Sequence, residues 1–158
     1  MTVNSILDRL AGQGRTLAVA ESLTGGLLAA AFVDVSGASL VFRGGIVTYA
    51  TETKVQVLGV EAGLVAQRGP VDPEVAASMA ARAASLFGAD VAAATTGVAG
   101  PEPLAGAAVG TVFVAVADLA NGISEVRGAQ FSGDRSEIRA QTVELALQMI
   151  SDTISAPG

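Results

Sequence analysis

The sequence of 158 residues lacks histidine, cysteine and tryptophan, and Lys54 is its single lysine. These absences exclude Ser-His-Asp triads, Cys-His pairs, zinc sites built on histidine or cysteine, and thiol redox chemistry. Any nitrogen base that moves protons in this chain is therefore Lys54. Three possibilities remain: a serine or threonine nucleophile with a lysine base, a carboxylate mechanism, and binding without chemistry.

Charge is also scarce. Charged residues make up 15% of the chain, the net charge is −6, and the eight arginines are scattered along the sequence. Nucleic acid is not expected as a partner, because its recognition relies on a basic patch that this pattern does not provide. A small anion such as a phosphate needs only one or two cations and some backbone donors, so an anionic ligand stays open.

Hydrophobic residues account for 51% of the chain, but its long uncharged stretches do not fit a membrane span. Asp34 interrupts one stretch, glycine and proline interrupt another, and Asp8 and Arg9 stand where a signal peptide would carry its apolar core. We expect one cytoplasmic domain over residues 1–158, with no membrane partner. A mean hydropathy of +0.54 predicts exposed apolar surface and hence a homo-oligomer.

Helix and strand patterns alternate along the chain. The predicted helices cover 3–11, 23–35, 51–58, 72–87 and a last segment beginning at Ser132 or Asp134; the predicted strands cover 16–20, 40–50, 90–96, 111–117 and 123–131. Gly44-Gly45 predicts a bulge or a close backbone approach, and Asn121-Gly122 predicts a hairpin turn. The fold class is α/β: a three-layer α/β/α sandwich with a mixed, mainly parallel sheet. Residues 155–158 are expected to be loosely held.

Four segments share one arrangement, in which a predicted strand ends and small or hydroxyl residues lead into a loop or a helix. They cover residues 20–26, 48–54, 95–101 and 131–135. In open α/β sheets ligands bind beyond the carboxyl ends of strands, where free N–H groups of helix amino termini attract anions. Neighbouring parallel strands would bring these segments to one cleft.

Ser22 and Lys54 are the candidate reactive side chains. Ser22 is either a nucleophile beside free backbone donors or a helix N-cap, and the two roles are compatible. Lys54 is either a solvated surface lysine or a buried amine, whose charged form is disfavoured and which can accept a proton. The sequence leaves these alternatives open.

Two further features have both a functional and a structural interpretation. The glycine-rich turn 97–101 lacks the spacing of dinucleotide and P-loop motifs, so it is either a ligand loop or a plain chain reversal. Arg135 and Arg139 lie one turn apart at the start of the last helix, where a cation opposes the helix dipole. A bound phosphate would offset that conflict; alternatively, Arg135 pairs with Glu137 or Asp134.

Five short motifs occur in one order along the chain: Ala-Glu-Ser-Leu-Thr-Gly-Gly at 20–26, Gly-Gly-Ile-Val-Thr-Tyr at 44–49 followed by Lys54, Gly-Val-Ala-Gly-Pro at 97–101, Val-Gly-Thr-Val at 109–112 and Phe-Ser-Gly-Asp-Arg at 131–135. Together they resemble the CinA C-terminal domain family, whose stand-alone members are nicotinamide-nucleotide amidases. The resemblance runs from about Val3 to Ile150. It implies deamidation of nicotinamide mononucleotide, giving nicotinic acid mononucleotide and ammonia in pyridine-nucleotide salvage.

The resemblance also implies roles for individual residues. Ser22 would be the nucleophile and Lys54 the base that later returns the proton, without any metal or organic cofactor. Tyr49 and Thr96 would orient the amide or relay the proton. The remaining implied substrate-binding residues hold the phosphate (Arg135, Ser132 and Gly133) or form the glycine-rich backbone around the substrate (Thr24, Gly25, Gly26, Gly45 and Gly97).

The chain departs from the family pattern in the loop 102–108. After Gly100-Pro101 the family has a more glycine-rich loop and a Lys-Pro pair before Val-Gly-Thr-Val, whereas here Glu102-Pro103-Leu104 leads to Ala107-Ala108, which bears on substrate identity. Ala50-Thr51 also replaces the common Ser-Asn, although Thr51 can still cap a helix. The altered loop leaves a nucleotide-binding module without turnover open as one alternative, and the apolar composition leaves an assembly subunit open as another. Attack by an acyl-forming serine and direct attack by water also stay open.

Overall fold

A computed structural model describes residues 2–155. A five-stranded mixed sheet lies at the centre of the fold. Its strands are β1 (Leu17–Glu21), β2 (Phe42–Val47), β3 (Val91–Gly97), β4 (Thr111–Asp118) and β5 (Ile123–Gln130). The helices are α1 (Val3–Gly12), α2 (Leu27–Val33), α3 (Thr51–Gln56), α4 (Ala62–Arg68), α5 (Pro73–Phe87) and α6 (Arg135–Ser155), with a 3-10 turn at Ala38–Leu40.

The strand order is β2-β1-β3-β4-β5. β1 is parallel to both β2 and β3, whereas β4 is antiparallel to β3 and to β5. Four strands therefore point the same way and only β4 is reversed, which confirms the mixed, mainly parallel sheet. The carboxyl ends of β1, β2, β3 and β5 consequently share one edge, and the four segments singled out in the sequence leave the sheet there.

Alternating side chains of the strands face two different helical layers. Leu17 and Val19 of β1 pack into an apolar cluster with α1, α2 and α6. Ala18 and Ala20 of the same strand face the other side, where α5 contributes buried alanines. Helices thus cover both faces of the sheet, and the three-layer α/β/α arrangement is confirmed. Small side chains on the α5 side let that helix approach the sheet closely.

Several element boundaries differ from the sequence prediction. α2 begins at Leu27 and not at residue 23, because Gly25 and Gly26 have φ values of 56° and 104° and form a turn. α4 was not predicted; the Glu61 carboxylate caps it by accepting from Gly63 N at 2.9 Å and Leu64 N at 2.8 Å. Ala50, not Thr51, is the N-cap residue of α3, and it makes no side-chain cap.

Other local predictions are confirmed. Leu17 pairs with Phe42 and Ala18 with Gly44, so Arg43 is the extra residue of β2 and the bulge lies directly before the Gly44-Gly45 pair where it was expected. β4 and β5 form the expected hairpin. Ser155, the first residue of the segment expected to be loosely held, is instead the last residue of α6, and the rest of 155–158 lies outside the described residues.

A capping box opens α6. Glu137 N donates to Asp134 Oδ1 at 2.9 Å, and Asp134 N donates to Glu137 Oε2 at 2.7 Å. Asp134, rather than Ser132, therefore provides the side-chain cap. None of the helices among residues 2–155 has both the length and the apolar character needed to cross a membrane.

Candidate active site

Ser22 follows β1 directly and lies in the turn before α2. Its N–H donates to Thr95 O of the neighbouring strand at 3.0 Å, so the sheet fixes its backbone. The residue is 7% exposed and lines a cleft at the carboxyl edge of the sheet. Because α2 begins five residues later, Ser22 is not its N-cap, and its hydroxyl is available for other contacts.

Lys54 lies on α3 and is buried, with only 1% of its surface exposed. Its Nζ donates to Ser22 Oγ at 3.0 Å and to Thr48 O at 2.6 Å. No ion pair to a carboxylate is formed by Lys54 in residues 2–155. The alternative of a solvated surface lysine is therefore excluded, and the only lysine of the chain contacts the candidate nucleophile.

Burial changes the protonation of Lys54. Desolvation lowers the pKa of the amine from 10.5 to about 8, while the negative charge of Glu52 opposes this shift. About a tenth of the amines are then neutral at pH 7, compared with less than about a thousandth for an ordinary lysine. A neutral amine in contact with a hydroxyl can accept its proton, so this pair has the chemistry of a general base and a nucleophile.

Glu21, directly before Ser22, supports the site and was not predicted from the sequence. Its carboxylate is fully buried and accepts from Leu28 N at 2.9 Å and Ala29 N at 3.0 Å, at the amino end of α2. This contact ties α2 to the end of β1 and fixes the turn that carries Ser22. An acidic residue at the end of an apolar strand is the sequence signal from which this buried role could have been predicted.

The cleft has a volume of about 270 Å³. Four predicted site residues line it: Ser22, Tyr49, Gly97 and Arg135. The rest of the lining comes from Leu23 and from the β3–β4 loop, namely Val98, Ala99, Gly100, Pro101, Glu102, Pro103 and Leu104. The loop in which the sequence departs from the family pattern thus forms one wall, and Glu102 places a carboxylate on it.

Arg135 stands at the mouth of the cleft. Its guanidinium donates to Gly100 O and to the hydroxyl of Tyr49, the latter at 2.6 Å. Neither Asp134 nor Glu137 forms an ion pair with it; in the described chain those two side chains cap α6 instead. The ion-pair alternative is therefore wrong, and a cation without a carboxylate partner faces the cleft beside an exposed tyrosine.

Two predicted threonines are buried next to the cleft but do not line it. Thr96 donates its hydroxyl proton to Pro70 O at 2.6 Å, so this hydroxyl has only acceptor capacity left for a substrate. Thr24 shares a 2.7 Å hydrogen bond with the hydroxyl of Thr95. Both therefore support the loops around Ser22, and their contact with substrate stays a prediction.

The other predicted glycines and Ser132 lie outside the cleft lining. Gly45 sits in β2, where a Cβ atom would lie 2.7 Å from Val19 Cγ2, so its absence of a side chain allows close sheet packing. Ser132 and Gly133 line a separate shallow depression with Gln141, whose amide donates to Ser132 O at 2.9 Å. Of the three predicted phosphate ligands, Arg135 alone reaches the cleft.

Metal ligands are sparse in this fold. Within the described stretch 2–155, no group of three or more Asp or Glu side chains is close enough to hold a metal ion. The chemistry available from the chain's own residues is that of Ser22, Lys54, Arg135 and the backbone N–H groups around them.

Residues 2–154 match the CinA C-terminal domain family. A CinA-like protein of Frankia casuarinae is 48% identical over 145 residues, which cover 92% of this chain and 33% of that protein. A CinA-like protein of Geobacter sulfurreducens is 43% identical over 151 residues, covering 94% of this chain and 36% of that protein. The chain thus spans about a third of the length of these curated relatives.

Solved structures share the fold over the whole chain. The competence damage-inducible protein A of Klebsiella pneumoniae is similar with a TM-score of 0.92 at 31% identity, covering 100% of both chains. A competence/damage inducible protein of Agrobacterium tumefaciens is similar with a TM-score of 0.91 at 33% identity, covering 98% of this chain and 93% of that one.

Proposed function

Because the chain belongs to the CinA C-terminal domain family, we propose that it is an amidohydrolase that converts nicotinamide mononucleotide into nicotinic acid mononucleotide and ammonia. The observation that carries this proposal is the 3.0 Å contact between Lys54 Nζ and Ser22 Oγ. A carboxamide is a poor electrophile with a poor leaving group, so its hydrolysis requires an activated oxygen, donors for the oxyanion and a proton for the departing ammonia.

The first half of the reaction forms an ester. Neutral Lys54 accepts the proton of Ser22 as Oγ attacks the carboxamide carbon, and backbone N–H groups of the turn after Ser22 stabilise the developing oxyanion. The resulting ammonium of Lys54 then donates this proton to the amide nitrogen. The C–N bond breaks, ammonia leaves, and the nicotinoyl group stays on Ser22.

The second half regenerates the serine. Lys54, neutral again, accepts a proton from a water molecule as the water attacks the ester carbon. The C–O bond to Ser22 breaks, the proton of Lys54 returns to Oγ, and the nicotinate product leaves. One water molecule is consumed and one ammonia released, with no redox step and no cofactor.

Arg135 and Tyr49 would bind the nucleotide. A guanidinium without a carboxylate partner is suited to a phosphate, because its planar fork can donate two hydrogen bonds to it. The phosphate would replace Gly100 O and Tyr49 OH as acceptors, and Tyr49 would then be free to pack on the substrate. A cytoplasmic homo-oligomer without nucleic-acid or membrane partners stays the prediction for the assembly.

Ammonia release from nicotinamide mononucleotide, nicotinamide riboside and free nicotinamide tests the proposal. We expect turnover of the mononucleotide, weaker turnover of the two compounds without phosphate, and none with Ser22→Ala. Mass spectrometry of a quenched reaction should detect the nicotinoyl ester on Ser22. Full activity of Ser22→Ala would contradict the nucleophile assignment, and inertness towards all three amides would contradict the amidase.

A nucleotide-binding module without turnover is the second candidate. The wall formed by Glu102, Pro103 and Leu104 favours it, because Glu102 adds a carboxylate to the cleft and the lysine of the family's Lys-Pro pair before Val-Gly-Thr-Val is missing here. This candidate predicts that nicotinamide mononucleotide raises the melting temperature without any product. The rise would depend on Arg135 and not on Lys54.

A further inference from the structure

Arg139 contacts the turn that carries Ser22. It lies on α6 one turn after Arg135 and is partly buried. Its Nε donates to Leu23 O at 2.9 Å, and one of its terminal nitrogens donates to Thr24 O at 3.1 Å. Over residues 2–155, Arg139 forms no ion pair. The positive charge of this side chain is therefore directed at two neutral carbonyl groups next to the candidate nucleophile.

The contact of Arg139 with Leu23 O determines the direction of a backbone donor. In a trans peptide the carbonyl and the following N–H point to opposite edges of one plane. Since Arg139 binds Leu23 O, the N–H of Thr24 is directed away from Arg139. The preceding peptide is fixed as well, because Ser22 O accepts from Gly25 N at 3.1 Å and this orients the N–H of Leu23.

Both of these donors are unused. Neither the N–H of Leu23 nor that of Thr24 donates a hydrogen bond to any group of the described chain, and they directly follow Ser22. Leu23 also lines the cleft. Two adjacent free N–H groups beside a nucleophile are the usual means of holding the oxyanion of a tetrahedral intermediate.

We propose that Arg139 is a positioning residue that holds the turn after Ser22 so that the N–H groups of Leu23 and Thr24 bind the oxyanion; this rests on the proposed amidohydrolase function. The rigid guanidinium fork donates to the two carbonyls from two different nitrogens, whereas a lysine ammonium would have to donate from a single nitrogen on a flexible stem. A charge-assisted bond to Leu23 O also polarises the peptide and strengthens its N–H as a donor. Arg139 does not belong to the lining of the cleft and makes no hydrogen bond to Lys54.

The experiment compares Arg139→Ala and Arg139→Lys with Arg43→Ala as a matched control. Arg43 also donates to a backbone carbonyl, that of Phe87, but it lies outside the cleft. With nicotinamide mononucleotide, we expect Arg139→Ala to lower kcat about 10- to 100-fold while KM changes less than about twofold. The kcat of Arg139→Lys should lie between the values of Arg139→Ala and the unaltered protein, and the kcat of Arg43→Ala should equal that of the unaltered protein. The pH midpoint of activity should not move, because Lys54 is unaffected.

Added guanidinium ion distinguishes a positioning role of Arg139 from a purely structural one, because it should change kcat only if Arg139 positions the oxyanion donors. At millimolar concentration it should restore part of the kcat of Arg139→Ala, but none of the activity of Ser22→Ala. Unchanged kcat in both Arg139 variants, a loss confined to KM, or a shifted pH midpoint would overturn the proposal. If Arg139→Ala does not fold, Arg139→Lys decides, since an unchanged kcat in that variant also overturns it.

A second substrate separates this inference from the proposed function. p-Nitrophenyl acetate can acetylate Ser22 Oγ with release of nitrophenolate, and its tetrahedral intermediate needs the oxyanion donors but no nucleotide site. If the mononucleotide is not hydrolysed, a slower acetylation of Ser22 in Arg139→Ala than in Arg43→Ala still supports the inference. Equal rates in these two variants, or no acetylation in the unaltered protein, overturn it.

Discussion

Lys54 Nζ lies 3.0 Å from Ser22 Oγ, although 32 positions separate the two residues in the sequence. Ser22 follows β1, and Lys54 lies on the first helix after β2, the parallel neighbour of β1. Thr48 N also donates to Glu21 O at 2.9 Å, which extends the pairing of the two strands to the residue before Ser22. The pairing of β1 with β2 therefore creates the contact.

Replacing Lys54 with methionine tests its role as base. Lys54→Met keeps the length of the side chain but removes the amine, so we expect kcat to fall about 100- to 10,000-fold. Ammonia release measures this loss. Because methionine has no buried amine to desolvate, the melting temperature should not fall, and a folded Lys54→Met protein with full activity would contradict the mechanism.

The pH dependence of activity should follow the protonation of Lys54. Its pKa of about 8 means that the neutral amine is scarce at pH 6 and predominant at pH 9. We expect kcat/KM to rise about tenfold per pH unit below this pKa and to level off above it. A profile that is flat between pH 6 and 9 would exclude Lys54 as the base in the free enzyme.

The same shift predicts how stability changes with pH. The folded-state pKa of Lys54 lies near 8 and its unfolded-state pKa near 10.5, so between these values the unfolded chain binds more protons. Relative to Lys54→Met, the free energy of unfolding should therefore rise by about 3 kcal/mol from below pH 8 to above pH 10.5. Urea unfolding of both proteins across this range measures the difference, and a constant difference would contradict it.

Arg135 should act on binding more than on chemistry. Arg135→Lys removes the planar fork, and we expect KM for nicotinamide mononucleotide to rise at least about tenfold with little change in kcat. The matched comparison is nicotinamide riboside, which lacks the phosphate and should show almost no change. Equal effects on both substrates would show that Arg135 does not bind the phosphate.

Glu21 should matter for stability. Glu21→Gln replaces one carboxylate oxygen with an N–H₂ group that faces a backbone N–H of α2, so we expect a loss of about 1–3 kcal/mol in the free energy of unfolding. Glu125→Gln, on the exposed part of β5, is the control and should change stability by less than about 0.5 kcal/mol. Similar values for both variants would contradict the role of Glu21.

The convergence of segments 20–26, 48–54, 95–101 and 131–135 at one edge of the sheet could be predicted from the sequence. It depends on strand direction and not on side-chain detail. Apolar runs such as 90–96, separated by helical patterns, indicate parallel strands, whose carboxyl ends share an edge. β5 reaches the same edge because the Asn121-Gly122 hairpin reverses the chain after the reversed strand β4. Ser22, Tyr49, Gly97 and Arg135 were accordingly predicted and line one cleft.

Contacts that depend on exact backbone direction could not be predicted. The start of α2 was wrong by four residues, because a helical apolar pattern does not reveal that Gly25 and Gly26 adopt a turn. The partners of Arg135 were also wrong, since Asp134 and Glu137 bind each other's backbone in a capping box. Spacing along a helix suggests possible ion pairs, but competition from a cap decides which ones form.

The burial of Lys54 has a consequence for the outer surface of the molecule. The only ε-amine of the chain is enclosed, so the exterior offers none to acetyl donors, ubiquitin ligases or amine-directed crosslinkers. A reagent that acylates a lysine of this chain must therefore reach Lys54 beside Ser22, and in the proposed mechanism this modification removes the base. Covalent lysine tagging and loss of the proposed amidase activity should then occur in parallel.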